Sequence, residues 1–477
     1  MNFTQIANVT EAADRLHFEK ALQDLEECRR ENEEDPRWNR LMARVLRGLF
    51  FSHRALKHAR KAGSDWQGRL ELAKCLFACG EISEAGSRLH ELAAEDPQPE
   101  VLTALAAWCG ETGRVRQGRR ILKELGTLNL KPGMLRMDQL ILNADLASFE
   151  EETEEAFRYY HQALQETADC IPKNWQPLRR MLILHNMADT LEQLEQPDQA
   201  LEVYRQALQE MSLQKRKDSH ITDLSGYEME LLLSVANCFG NAQDFDQAAE
   251  YLGKAGKLMT ALPPRQMEYF QARTWYISGL LALNEGRNTQ AADCFEKALK
   301  LQEKLCLAGR DKPEHPARSA YYLASVLPDD QADRKLSLYE KAWPVFEQMQ
   351  EKEPSFYLLG LADMENEKGR LSHDFKEAAD HYRRALEFYQ LILARQPDDQ
   401  LARESQLATM ANLYHLKSDA SLARQIREGL ISLRRKDPNW LFLQTITDFL
   451  LQSPESAQDF RKWLASFANT LENHCSA

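Results

Sequence analysis

The sequence predicts an all-α fold, a solenoid of tandem helix–turn–helix units, on three observations. From Trp275 to Ala298, small and bulky residues alternate at Trp275, Ser278, Gly279, Ala282, Ala291, Phe295 and Ala298, the spacing of a helical hairpin of about 34 residues. That spacing returns along most of the chain. Only 20 Gly and 17 Pro occur in 477 residues, and no long β-branched run stands out, so little interrupts helices and little favours strands.

The spacing has a steric reason. A small residue in each first helix and an Ala opening each second helix let two backbones approach closely. The aromatic or Leu four residues later fills the wedge between neighbouring hairpins.

Taken in order, residues 4–35 keep only the second-helix half of a unit, as Phe18, Ala21, Leu25 and Cys28, closed by Pro36. Trp38 to Ala62 reads as a shortened hairpin. Full copies follow at Leu72, Ala73, Leu76, Ala85, Leu89 and Pro97, with Gly80 at the turn, and at Leu102, Leu105, Ala106, Cys109, Gly118, Leu122 and Leu125, with Gly113 at the turn. The next are Leu140, Ala144, Ala147, Ala156, Tyr160, Ala163; then Leu184, Met187, Ala188, Leu191, Ala200, Tyr204, Ala207; then Leu232, Val235, Ala236, Phe239, Ala248, Leu252, Ala255. Beyond the copy at Trp275, the stretch from Ala317 to Gln350 keeps Tyr339 and Ala342, with Pro328 and Pro344 as interruptions. Phe356, Leu359, Gly360, Ala378, Tyr382 and Ala385 form a copy with about six extra residues, read as a longer turn. The last clear copy is Leu407, Met410, Ala411, Tyr414, Ala423 and Leu430. Trp440, Phe449, Phe460, Trp463 and Phe467 then predict a closing helix pair, which a solenoid needs to cover its apolar end. Lys215 to Ser225 and Pro263 to Arg265 read as loops. The acidic run Glu150 to Glu155 suits a helix start and marks a hinge. These boundaries divide the chain into basic N-terminal repeats (1–148), central and C-terminal repeats (149–435) and capping helices (436–477).

On these residues the chain resembles the tetratricopeptide-repeat (TPR) family over nearly all its length. The approach from Leu301 to Ala324, with Gly309, His315, Pro316 and Ala320, resembles the longer connector of kinesin-light-chain-type repeats. The resemblance implies a right-handed superhelical solenoid whose first helices line an inner, concave groove. It nominates His185, Asn186, Asp189, Asn237, Arg273, Tyr276, Tyr357, Asn412 and His415 as groove residues that hold a peptide or protein partner. Asn pairs with a peptide's donor and acceptor together, and Tyr offers flat area with a polar tip. Chaperone-binding members clamp a C-terminal carboxylate with Lys, Asn and Arg. Asn186, Asn237 and Arg273 echo that set, but His185 and Leu233 stand where Lys is required, so the clamp is incomplete.

The net charge of -13 argues against bulk nucleic-acid binding. Residues 37–137 nevertheless hold 18 Lys or Arg against 10 Asp or Glu. Arg37, Arg40, Arg44 and Arg47 share one helix face, opposite Leu41 and Val45, and Arg114, Arg116, Arg119 and Arg120 form a second cluster. Two readings stand: a solvated face, or a docking patch for an acidic peptide, protein or phosphate, which the Arg fork suits.

Nine cysteines, an odd number, speak against a disulfide framework. Cys75 and Cys79 lie one turn apart without a second ligand pair, and packing explains them. No glycine-rich phosphate loop, Gly-x-Ser-x-Gly elbow or His-Glu-x-x-His pair occurs. The start of the chain carries no secretory signal and no apolar stretch spans a membrane. The expectation is a cytoplasmic, non-catalytic scaffold or adaptor without cofactor or metal. The alternatives are a peptide-sensing regulatory module and a positioning subunit of an enzyme complex.

Overall fold

The structure is a computed structural model that describes residues 3–14, 17–49, 51–126, 133–171, 173, 176–194, 196–217, 224–417, 419–436, 439–452 and 458–475. Among these residues there are 25 α-helices, one 3-10 turn and no strand. The chain divides between Gln331 and Ala332 into two compact units.

The first unit opens with α1 (Phe3–Asp14), α2 (Phe18–Glu27) and the one-turn α3 (Arg29–Asn32). The short hairpin is α4 (Pro36–Gly48) with α5 (Ser52–Ala59). The following pairs are α6 (Trp66–Ala78) with α7 (Ile82–Glu95), α8 (Pro99–Glu111) with α9 (Val115–Gly126), and α10 (Met134–Phe149) with α11 (Thr153–Cys170). Then come α12 (Gln176–Gln193) with α13 (Pro197–Lys217), α14 (Leu224–Asn241) with α15 (Phe245–Met259), and α16 (Pro264–Asn284) with α17 (Asn288–Leu307). The unit ends with α18 (Glu314–Val326) and the 3-10 turn Asp329–Gln331. The second unit contains α19 (Ala332–Met349), α20 (Pro354–Leu371), α21 (Phe375–Arg395), α22 (Gln400–Leu416), α23 (Ala420–Lys436), α24 (Trp440–Leu451) and α25 (Gln458–Cys475).

Local chemistry sets the boundaries. Asp35, Asp65, Asp244, Asp374 and Asp399 cap helix N-termini by accepting backbone N–H bonds. Pro36, Pro99, Pro264 and Pro354 occupy first-turn positions where no N–H is required. The turns between paired helices need left-handed backbone: Gly113 (φ 76°) and Gly286 (φ 73°) supply it freely. Each hairpin packs internally and its first helix also contacts the next first helix, as α10, α12, α14 and α16 show. The buried small residues sit where those helices cross: Ala144, Ala188, Ala236 and Ala282 are all 0% exposed.

Five local expectations change. The loop expected from Pro263 to Arg265 is the first turn of α16 from Pro264 onward. Residues 3–32 form more than half a unit, because α1 buries Val9, Ala12 and Ala13. Pro344 lies inside α19 and does not end it; it and Glu340, one turn before it, are both on the exposed side of the helix. The extra residues before Phe375 extend α20 rather than its turn, which is only 372–374. Ion pairs one turn apart, Lys368–Glu365 (3.0 Å) and Arg370–Glu367 (2.9 Å), support that extension. Of the loop expected from Lys215 to Ser225, 215–217 and 224–225 are helical and 218–223 lie outside the described residues. At the C-terminal end, Leu443, Leu450, Phe460, Leu464 and Phe467 of α24 and α25 close the core begun by Leu407, Ala411 and Tyr414; the side chain of Trp440 lies outside the described residues.

Candidate functional site

In the first unit, α10, α12, α14 and α16 place a row of polar side chains across the repeats. Asp145 on α10 accepts a bond from the Tyr160 hydroxyl of α11 at 2.7 Å and from Asn186 Nδ2 of α12 at 3.0 Å. Asp189 of α12 accepts from the Tyr204 hydroxyl of α13. That hydroxyl also lies 3.1 Å from Glu192 Oε2, and Glu192 Oε1 accepts from Asn237 and, at 2.8 Å, from Asn241 of α14. His185 Nε2 lies 3.0 Å from Ser234 Oγ and 3.6 Å from Asp189 Oδ1. Arg273 of α16 donates to Glu230 of α14 at 3.2 Å. Tyr276 stands edge-on to Phe295 and Tyr322, with ring centroids 6.0 and 6.1 Å away.

Six nominated residues are thus gathered in one unit: His185, Asn186, Asp189, Asn237, Arg273 and Tyr276. Asn186 and Asn237 use their amide donors to tie one repeat to the one before it. The nominated Tyr357 is a correction. It is 0% exposed and packs against Phe346 and Phe356, so it is a core residue and cannot line a groove. Asn412 is half-buried on α22, and His415 stacks on Phe449 at 5.0 Å; both belong to the second unit. A second polar row occurs there. Asp363 accepts from the Tyr389 hydroxyl at 3.1 Å, and Glu365, 1% exposed, meets His381 Nδ1 at 2.8 Å and Lys368 at 3.0 Å.

Burial dominates the electrostatics of the row. It pushes the Asp145 carboxyl up to about 6, against the stabilising bonds from Tyr160 and Asn186. It pushes Glu192 up to about 8, helped by the neighbouring Asp189 and opposed by Tyr204, Asn237 and Asn241. The Glu230 carboxylate outweighs burial at Arg273 and holds its guanidinium above the ordinary range. Glu192 therefore keeps its proton to higher pH in the folded chain than in the unfolded one. Between its ordinary value of 4.5 and about 8 the folded state binds more protons, so stability falls as pH rises through that window. Glu192→Gln keeps an acceptor for Asn237 and Asn241 and removes the ionisation. Calorimetric melts from about pH 5 to about pH 9 are expected to show a shallower decline in Tm for the variant, by a few degrees in total. Parallel declines would contradict this assignment.

The N-terminal arginines are largely neutralised in place. Arg37 pairs with Asp35 (2.9 Å), Arg40 with Asp65 (3.1 Å) and Arg47 with Glu71 (3.1 Å), while Arg44 lies half-buried between them. The second cluster lies on α9, except for Arg114, which precedes it. Arg119 joins Glu150 (2.7 Å), Glu152 (2.6 Å) and Glu155, so the acidic run from Glu150 is fastened to α9. Arg116 Nε is 3.9 Å from Glu150, and Arg114 lies over the Trp108 ring at 4.6 Å. Arg116, Arg119, Arg120, Lys123 and Arg136 line a cleft of about 900 Å³ together with Leu122, Leu125 and Leu140 and the two acids Glu150 and Glu155.

Sequence reasoning missed Asp145, Glu192, Glu230, Asp363 and Glu365. One signal was available: Asp145 and Asp189 each precede their bonded Tyr by 15 residues.

Family profiles agree with the hairpin architecture at two places. The family profile described as tetratricopeptide repeat matches residues 183–219 and, in a second form, residues 272–305. These are the segments of α12–α13 and α16–α17. No curated protein sequence matches. Among solved structures, a Rap protein complexed with Competence and Sporulation Factor is similar at 14% identity and TM-score 0.44, covering 77% of this chain and 97% of that one. The apo form of RapI gives 14% identity and TM-score 0.41, with 78% and 98% covered. A tetratricopeptide repeat protein from Parabacteroides merdae gives 14% and 0.33, with 64% and 97% covered. The profile falls on two of the hairpins whose spacing recurs throughout, so the chain carries tetratricopeptide repeats at residues 183–219 and 272–305.

Proposed function

We propose that this chain is a non-catalytic adaptor that holds a protein or peptide partner against the polar row of α12, α14 and α16, and that it acts in the cytoplasm. The observation that supports this reading most is the order of the row. Tyr204, Asn237 and Asn241 fix Glu192, and Glu230 fixes Arg273, before any partner arrives. Side chains already held in place lose less entropy on binding. Stacked repeats commonly present their binding surfaces along such faces. Acid groups dominate the row, so it suits the donors of a peptide backbone or a basic side chain. An acidic segment of the same partner would suit the α9 cleft, where Arg120 and Lys123 stand beside Arg116. Among the described residues no helix is long and apolar enough to cross a membrane.

The full chain and its Asn237→Leu, Arg273→Glu double variant, matched by circular dichroism, test the reading in parallel pull-downs quantified by mass spectrometry. Partners retained by the wild type are expected to fall at least about tenfold with the variant, the equivalent of about 1.4 kcal/mol. Equal retention would overturn the reading.

A further inference from the structure

The connector between α17 and α18 reaches back to the start of the first unit. Gly309, at φ 61°, lies so close to the end of α6 that a methyl group built on it would stand 2.6 Å from the Cys79 carbonyl oxygen. Three residues on, Lys312 Nζ meets Glu111 Oε2 of α8 at 2.6 Å, across 201 residues of sequence. Arg310 is anchored from behind by Glu268 at 2.8 Å, and Asp311 by His315. This contact borders an open cavity of about 430 Å³, lined by Phe77, Ala78 and Ile82 from the early helices and by Tyr227, Phe270 and Pro313 from the later ones.

The wall is mostly apolar, and its volume falls in the range that holds a small organic molecule, about 300–1,000 Å³. Its charged members are uneven. Arg47, Arg310 and Lys312 reach it, each also paired with an acid, Glu71, Glu268 and Glu111, that is not part of the lining. The two carboxylates on the wall are already engaged, Glu230 by Arg273 and Asp311 by His315. Three cations thus face the space against two carboxylates, and a ligand with an apolar, ring-sized body and one anionic group suits such a wall better than a cationic one.

We propose that this cavity is a binding site for a small amphiphilic anion, with the aromatic or branched body between Phe77 and Phe270 and the acid group toward Arg310 and Lys312. The site is separate from the polar row assigned above and does not depend on that assignment. Because the lining comes from α4–α7 and from α14–α18, a ligand bound to both stabilises the folded contact between them.

The probe pair 8-anilinonaphthalene-1-sulfonate and N-phenyl-1-naphthylamine differs only by the sulfonate. In fluorescence titrations of the full chain, the sulfonate is expected to bind at one site per chain, at least about tenfold more tightly than the neutral analogue at low salt, a gap that narrows as salt screens the charges. Ala78→Trp, which fills the cavity, is expected to abolish binding, and the smaller Ala78→Met to weaken it severalfold. Gly309→Ala, which forces the connector off Cys79, is expected to weaken it as well. Unchanged binding in the folded Ala78 variants, several equivalent sites per chain, or equal affinity for the two probes would each overturn the proposal.

Discussion

Replacing Phe295 by alanine is expected to destabilise the first unit by about 3–5 kcal/mol, the cost of emptying a large aromatic site in a packed core. Phe295 is 0% exposed. Its ring stacks on Tyr322 with centroids 5.4 Å apart and planes at 15°, and it meets Tyr276 edge-on. On the other side it fills the space above Gly279, where an added methyl would stand 2.7 Å from the ring. Alanine therefore empties the wedge that α16, α17 and α18 share, and their backbones cannot close it without moving three helices. Chemical denaturation should show the loss, and hydrogen exchange should place it in α16–α18. Phe295→Leu should restore most of the stability by refilling volume. A loss below about 1 kcal/mol would mean that the wedge collapses and that the small–aromatic pairing is not what joins these repeats.

The second large effect is expected at Trp38, again about 3–5 kcal/mol on truncation to alanine. Trp38 is 0% exposed, donates its indole N–H to the Leu25 carbonyl at 3.1 Å, and stands edge-on to His58 at 5.4 Å. It thereby joins α2, α4 and α5. Because local stability in stacked hairpins depends on immediate neighbours, the loss should appear first as exchange in α1–α5. Trp38→Phe separates the two contributions: it keeps most of the packing and removes one buried hydrogen bond, for about 1–2 kcal/mol. Uniform loss of protection along the whole unit, rather than at its N-terminal end, would contradict this description.

The hairpins were legible because their determinants are local. Ala144 with Ala156 and Tyr160, or Ala188 with Ala200 and Tyr204, specify a helix crossing within one repeat, and all six are almost wholly buried. The extension of α20 was less legible, since Glu365 to Arg370 carries no apolar pattern and is helical through its ion pairs and its contacts. The nominated Tyr357 shows the opposite failure: on its helix the aromatic faces Phe346 and Phe356, and polarity alone does not tell a groove tyrosine from a core one. The polar row was only half legible. Asp145 with Tyr160 recurs as Asp189 with Tyr204 at the same interval, a pattern that can be read directly. The bonds that join repeats, Asn186 to Asp145 and Asn237 to Glu192, cross 41 and 45 residues, and their register follows from how the hairpins stack. The N-terminal arginines formed a stripe in sequence, yet Asp65 and Glu71, brought opposite by the next hairpin, neutralise Arg40 and Arg47. The closure at Gly309 spans still more chain and left no local trace beyond the glycine itself.

The most direct test of the adaptor role is site-specific photo-crosslinking on the full chain. p-Benzoylphenylalanine placed at Tyr276, beside the polar row, is expected to capture a discrete protein or peptide partner, identified by mass spectrometry, while the same probe at the exposed Lys300 of α17 captures none of it. No adduct at Tyr276, or the same adducts from both positions, would contradict the adaptor role.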